Sequence, residues 1–216
     1  MLKVDNINVS IGAVDILRNV SIDLGSGSMV GLVGRNGAGK TTLLKSIMGL
    51  LKPKTGSIDF DGTDLISTPV NDRNKLGIGY MPEDRRLIPD LTVEENILVP
   101  AWANAAITAQ ERLEYVYGII PELREFAPRR GLQLSGGQQK LVALGRALMA
   151  GKRLLLLDEP FEGVAPALAQ RLVEVIGGLK NEGMSVIFSE SDLQHSKHLV
   201  QKIFLIDRGS ARQQEL

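Results

Sequence analysis

Residues 29–47, MVGLVGRNGAGKTTLLKSI, constrain this chain more than any other segment. Five continuously apolar residues, 29–33, fit a strand buried on both faces. The next eight, GRNGAGKT, match the spacing G-x-x-x-x-G-K-[ST] with Gly34, Arg35, Asn36, Gly37, Ala38, Gly39, Lys40 and Thr41. Thr42 follows, and a helix closes near Gly49. Glycines in such a loop let main-chain N–H groups curl around phosphate oxygens with no Cβ in the way. The positive end of the helix points at the same place. Lys40 supplies a compact charge for β- and γ-phosphates, and the Thr41 hydroxyl is a ligand for Mg²⁺. A glycine turn standing before a helix by chance is the plainer alternative; the apolar strand ahead of the loop argues against it.

The rest of the chain fits an α/β domain. Residues 2–9 and 14–24 alternate as strands, with a turn at 25–28. Further strands are expected at 56–62, 76–82, 153–160, 184–189 and 202–207, and helices at 134–150 and 167–180. From about 92 to 130 the spacing becomes helical, and the single Trp lies there. Strands alternating with helices predict a mainly parallel sheet. An antiparallel N-terminal β part and an inserted helical lobe complete it. One domain spans 1–216, with the core at 1–91 and 151–216 and the helical part, including the glycine motif below, at about 92–150.

Basic and acidic residues number 25 each, which gives no electrostatic case for nucleic acid. There is no cysteine, hence no disulfide framework. The N-terminus, MLKVDNINVS, alternates and has no signal-peptide pattern. No apolar run approaches the ~18–20 residues needed to cross a bilayer, so a membrane role requires a partner. Little chain remains after LIDRGS for a regulatory domain.

LLLLDE, 154–159, puts Asp158 and Glu159 at the carboxyl end of a buried strand, the edge where open α/β sheets bind ligands. Asp158 suits Mg²⁺, and Glu159 suits polarisation of an attacking water. Alone, the pair is also compatible with a strand running into a solvated turn.

LSGGQ, Leu134-Ser135-Gly136-Gly137-Gln138, forms a second anion-seeking helix N-terminus, although serine before two glycines is also a helix cap. With the phosphate loop and the acidic strand in this order, the sequence resembles the ABC ATPases over nearly its whole length. The resemblance implies two ATPs sandwiched between two ATPase subunits, alike or different. Each ATP would lie between one subunit's phosphate loop and the other's LSGGQ, with integral membrane permease subunits as further partners. It places the chain peripherally on the cytoplasmic face of the inner or plasma membrane. YMPEDRRLIPDLTVEENI, 80–97, and LLLLDEPFEGVAPALAQ, 154–170, look like the ATP-binding subunits of branched-chain amino acid importers, which work with a periplasmic or extracellular solute-binding protein. Gly163-Val164-Ala165-Pro166 carries that subgroup's G-x-A-P. The lipopolysaccharide-export ATPase is the alternative subgroup, and a non-hydrolytic regulatory clamp an alternative function. The coupling surface would be the helical lobe with the loop at 81–90, where Arg85 and Arg86 face a permease or simply solvent.

Three positions depart from the family pattern. The adenine-stacking aromatic falls at Ile11, which forfeits roughly 1 kcal/mol of stacking. The glutamine that links the site to the transporter falls at Glu83, able to meet a water or Mg²⁺ but not to donate unless protonated. The histidine that faces the γ-phosphate falls at Ser191, shorter and never cationic. His195, expected one helical turn on, is a possible substitute or an ordinary surface residue. Ser191 suggests a chain whose own site is slow while its LSGGQ completes a partner's fast one.

Overall fold

The computed structural model describes residues 1–215. Strands β1 (Leu2–Ile11), β2 (Val14–Leu24), β4 (Thr55–Phe60) and β5 (Thr63–Asp64) form an antiparallel sheet in the order β2-β1-β4-β5. A second sheet takes β3 (Met29–Val33), β6 (Ile78–Met81), β7 (Leu154–Asp158), β8 (Ser185–Glu190), β9 (Lys202–Asp207) and β10 (Ser210–Gln214) in the order β10-β9-β3-β8-β7-β6. It is parallel from β9 to β6, with β10 as an antiparallel edge. The expected α/β class, with a mainly parallel sheet and an antiparallel N-terminal part, is what the chain adopts.

The four leucines of β7 explain why this strand is central. Leu154 and Leu156 face the antiparallel sheet and α1 (Lys40–Ile47), among Val30, Leu32, Leu43 and Ile187. Leu155 and Leu157 face the opposite side, with Phe188, α5 (Gly136–Ala150) and α6 (Pro166–Asn181). Side chains that alternate across a strand covered on both faces must all be apolar.

The helical lobe leaves the sheet after β6 and returns through α5 to β7. It contains α2 (Val93–Trp102), α3 (Ala109–Ile119) and the short α4 (Glu122–Glu125). Thr92 and Glu95 cap α2 reciprocally. The ends of the insertion meet where Val93 N–H donates to the Arg129 carbonyl and Gly131 N–H to that of Leu91. Asn96, fully buried, bonds the main chain of Ile88, Leu91 and Thr92 and closes this neck. Lobe residues Val93, Ile97 and Leu113 share one core with Leu155 and Phe188, so the lobe is not a separately folded body.

Strand β10 lies beyond the expected elements. It pairs with β9 through a two-residue turn, Arg208-Gly209, with both residues left-handed at φ 46° and 79°. That geometry matches the twist of a tight hairpin. The helical turn expected after Ser191 does not form; residues 191–199 are a chain of turns.

Candidate functional site

Strand order builds the site. Along the carboxyl edge, neighbouring strands β3, β8, β7 and β6 end at Val33, Glu190, Asp158 and Met81, with Gly34 and the segment 82–86 directly after β3 and β6. Strands lie ~4.8 Å apart, so segments far apart in sequence meet in one row.

The glycine loop docks tightly. A Cβ on Gly34 would stand 2.2 Å from the Ile206 carbonyl oxygen, so only glycine fits there. Gly39 caps α1 at φ 117°, outside the range of ordinary residues. The loop curls back on the Lys40 ammonium, which donates to the carbonyls of Gly34 and Arg35. Lys40 also pairs with Glu159 Oε1 at 2.9 Å, both side chains being almost wholly buried.

Asp158 is fully buried and triply held. Its Oδ1 accepts from Thr41 Oγ1 at 3.0 Å and from Ser189 Oγ at 2.7 Å, and its Oδ2 from the Tyr80 hydroxyl at 3.3 Å. Burial and the Asp158 charge push the Tyr80 phenol well above its ordinary range, so it stays a donor. Glu159 has φ 47°, a left-handed conformation, and its N–H donates to Ser189 Oγ at 3.0 Å. Burial raises the Glu159 carboxyl above the usual carboxylate range, against the pull of Lys40. A raised pKa keeps the carboxylate basic.

These groups surround a cavity of about 330 Å³ lined by Ile16, Asn36, Gly37, Gly39, Lys40, Thr41, Thr42, Glu83, Glu159 and Glu162. Residues of the phosphate loop, Glu83 and Glu159 thus line one cavity. Ile11 does not join them. It is 52% exposed at the end of β1, and Ile16 of β2 walls the cavity instead. The β1–β2 hairpin carries both residues, Ile11 at the end of β1 opposite Val14 and Ile16 within β2. Thr41 lines the cavity and its Oγ1 donates to the buried Asp158 Oδ1 behind it, and Glu83 lines the same cavity. This donor set fits Mg²⁺, which takes one or two protein oxygens and keeps its waters.

A second cavity of about 190 Å³ shares Glu159 and Glu162 with the first. Its other walls are Phe161, Glu190, Ser191, Asp192, Gln194 and His195. Ser191 reaches the phosphate loop by donating to Asn36 Oδ1 at 3.0 Å. His195 leans on Phe161, 6.1 Å between ring centres, so it shares this space without a helix to carry it. Burial pushes the Glu190 carboxyl up to about 7.

Leu134, Ser135, Gly136, Gly137 and Gln138 line neither cavity. Ser135 caps α5: its Oγ accepts from Gln138 N–H at 3.3 Å, and Gln138 returns the bond to Ser135 N–H at 3.0 Å. Leu134 is buried, whereas Ser135 and Gly136 are exposed. Arg85 joins this helix to the loop after β6 through a 3.3 Å bond to Gln139. Arg146 holds the carbonyls of Arg85 and Arg86, both left-handed. Motif reasoning missed Ile16, Tyr80, Ser189, Glu190 and Lys140.

Residues 17–162 match the family described as ABC transporter. The chain is 35% identical over 209 residues to the high-affinity branched-chain amino acid transport ATP-binding protein BraG of Pseudomonas aeruginosa, covering 97% of this chain and 90% of that one. It is 32% identical over 211 residues to the lipopolysaccharide export system ATP-binding protein LptB of Haemophilus influenzae, covering 97% and 88%. Among solved structures, the dimeric MJ0796, a bacterial ABC transporter cassette, superposes with TM-score 0.88 at 25% identity, covering 100% and 99% of the two chains. The ADP conformation of MJ1267, an ATP-binding cassette of an ABC transporter, gives 0.86 at 27%, covering 98% and 89%.

Proposed function

The chain belongs to the ABC transporter ATP-binding family, and from that premise we propose that it powers import of branched-chain amino acids or a related small solute. ATP binding and hydrolysis, as one subunit of a transporter, follow from the family. The observation that supports a hydrolytic site in this chain is the Lys40–Glu159 pair at the head of the phosphate-loop cavity.

In our reading, ATP phosphates entering the loop compete with Glu159 for the Lys40 ammonium. The exchange frees a buried, basic carboxylate to orient and deprotonate the attacking water. Lys40 and the N–H groups of residues 36–42 take up charge on the phosphates. Thr41 and Asp158, with Glu83, would hold Mg²⁺, which supplies charge neutralisation at the phosphates. Ile16 packs against the base. Leu134 to Gln138 close over nucleotide held by a second ATPase subunit, which fits the exposure of Ser135 and Gly136 outside this chain's cavity. No helix among the described residues is long and apolar enough to cross a membrane. Permease subunits would anchor the chain at the cytoplasmic face through the lobe and the Arg85-Arg86 loop, and a solute-binding protein would deliver cargo. Ser191, bonded only as far as Asn36 Oδ1, supports the reading of this chain as the slower half of a heterodimer.

The importer reading draws on the BraG match and on Gly163 to Pro166; the LptB match keeps lipopolysaccharide export as the second reading. The test is uptake of labelled leucine by cells lacking this chain, complemented with wild type or Glu159→Gln. Restoration by wild type alone supports the proposal. Uptake that is indifferent to the chain, beside a defect in lipopolysaccharide export, selects the second reading. The solution mass of Glu159→Gln with Mg-ATP addresses the partner. A monomer-to-dimer shift shows that the chain pairs with itself, and a nucleotide-bound monomer requires a different subunit.

A further inference from the structure

Lys140 lies on α5 one helical turn after Gly136 and is 1% exposed. Its ammonium donates to the Glu159 carbonyl at 2.7 Å and to the Glu162 carbonyl. Glu162 N–H also closes onto the Glu159 carbonyl at 3.3 Å, so Lys140 sits where the turn 159–162 folds back on itself. Glu159 is left-handed, which a non-glycine residue sustains only when its surroundings hold it. Two side chains do so: Ser189 takes its N–H from β8, and Lys140 holds its carbonyl from α5. A buried ammonium that satisfies two main-chain carbonyls is an expensive way to fill a helix position. Its placement links the Gly136-Gly137 helix start to the Glu159 turn by a single side chain.

We propose that Lys140 is a positioning residue for hydrolysis: it fixes the turn that aims the Glu159 carboxylate and ties that aim to the helix that begins at Gly136. The proposal rests on Glu159 acting as the base. The ammonium is also close to losing its charge. Burial, then Arg85 from the loop after β6, lower its pKa to about 8, opposed by Glu162, Glu159 and Glu83. Above that pH the neutral amine holds the carbonyls less strongly.

The test compares full-length wild type, Lys140→Met, Lys140→Arg and Glu159→Gln. Without nucleotide, amide hydrogen exchange at residues 159–163 is expected to quicken about tenfold or more in Lys140→Met and to stay near wild type in Lys140→Arg at pH 7. With Mg-ATP, Lys140→Met is expected to lose about 10- to 100-fold in kcat with KM for ATP within about twofold. Wild-type kcat falls as pH rises through about 8, and that fall is absent in Lys140→Arg. Unchanged exchange at 159–163 in Lys140→Met, unchanged kcat, or an alkaline fall that persists in Lys140→Arg overturns the proposal. Glu159→Gln separates the two ideas. If it hydrolyses like wild type the base assignment fails, while the exchange experiment still decides whether Lys140 holds the turn.

Discussion

Ser189→Ala probes the joint of the site directly. Ser189 is fully buried in β8, and its Oγ both donates to Asp158 Oδ1 at 2.7 Å and accepts from Glu159 N–H at 3.0 Å. Alanine removes both bonds and adds nothing to clash. The Glu159 N–H is then an orphaned donor in a residue only 6% exposed, which costs ~1–3 kcal/mol. Asp158 keeps its bonds from Thr41 and Tyr80, so its loss is at the low end of a hydrogen bond to a charged group, ~1.5 kcal/mol. Together the change is worth about 3 kcal/mol, a sizeable share of the ~5–15 kcal/mol that stabilises a typical domain.

Urea unfolding of wild type and Ser189→Ala measures this, with an expected fall in midpoint of about 1 M for a slope near 2–3 kcal/mol/M. Because the left-handed turn at Glu159 loses its N–H anchor, kcat should fall at least about tenfold, with nucleotide affinity little changed. A destabilisation below about 0.5 kcal/mol would refute the argument, since it would mean that neither bond is felt in the folded chain.

Glu190→Gln should flatten the pH dependence of stability. The folded carboxyl titrates at about 7 against 4.5 unfolded, so its contribution is full below 4.5 and is lost as pH rises through 7. Denaturation at pH 5 and pH 8 should show wild type losing about 2 kcal/mol more than Glu190→Gln; equal losses would contradict the assignment. Gly34→Ala forces a methyl to within 2.2 Å of the Ile206 carbonyl, so ATP affinity should drop by an order of magnitude or more in equilibrium binding, about 1.4 kcal/mol. Ile16→Ala should weaken ATP binding about tenfold while Ile11→Ala leaves it within about twofold, and the reverse order would return the base-packing role to Ile11. Ser191→His should raise turnover if the serine limits this chain's site; unchanged turnover and occupancy would sink the slow-site idea.

What one short run of sequence can carry was available before any coordinates. The phosphate loop, the acidic pair and LSGGQ each bring their own strand or helix context, because the chemistry of each is local. What depends on strand order was not. Ser189 and Asp158 are 31 residues apart and meet only because β8 pairs with β7. Tyr80 reaches the same carboxylate because β6 pairs with β7 on the other side. That Ile16 and not Ile11 lines the cavity was likewise not legible, because a single alternating run does not show which residues end beside the phosphate loop. The β10 hairpin was concealed by its composition: SARQQ is polar, as an exposed edge strand should be, and carries no apolar alternation.

The charge around Glu159 ties the departures together. On one side stands Lys40, on the other a cavity bearing Glu162, Glu190 and Asp192. A histidine at 191 would bring an imidazole to that acidic side, able to donate to phosphate and to carry charge. Ser191 is neutral and donates its hydrogen bond to Asn36 Oδ1. The cation that the Glu159 carboxylate touches therefore comes from the phosphate loop itself. In the proposed exchange, phosphate takes Lys40 and the carboxylate would be left buried among acids, which favours proton uptake from water. The same arrangement would offer the γ-phosphate a short neutral hydroxyl at position 191 in place of an imidazole. On the proposed reading, a base beside a weakly held phosphate would make a site that depends on an opposing subunit to close it, and this chain would offer its own LSGGQ helix in return.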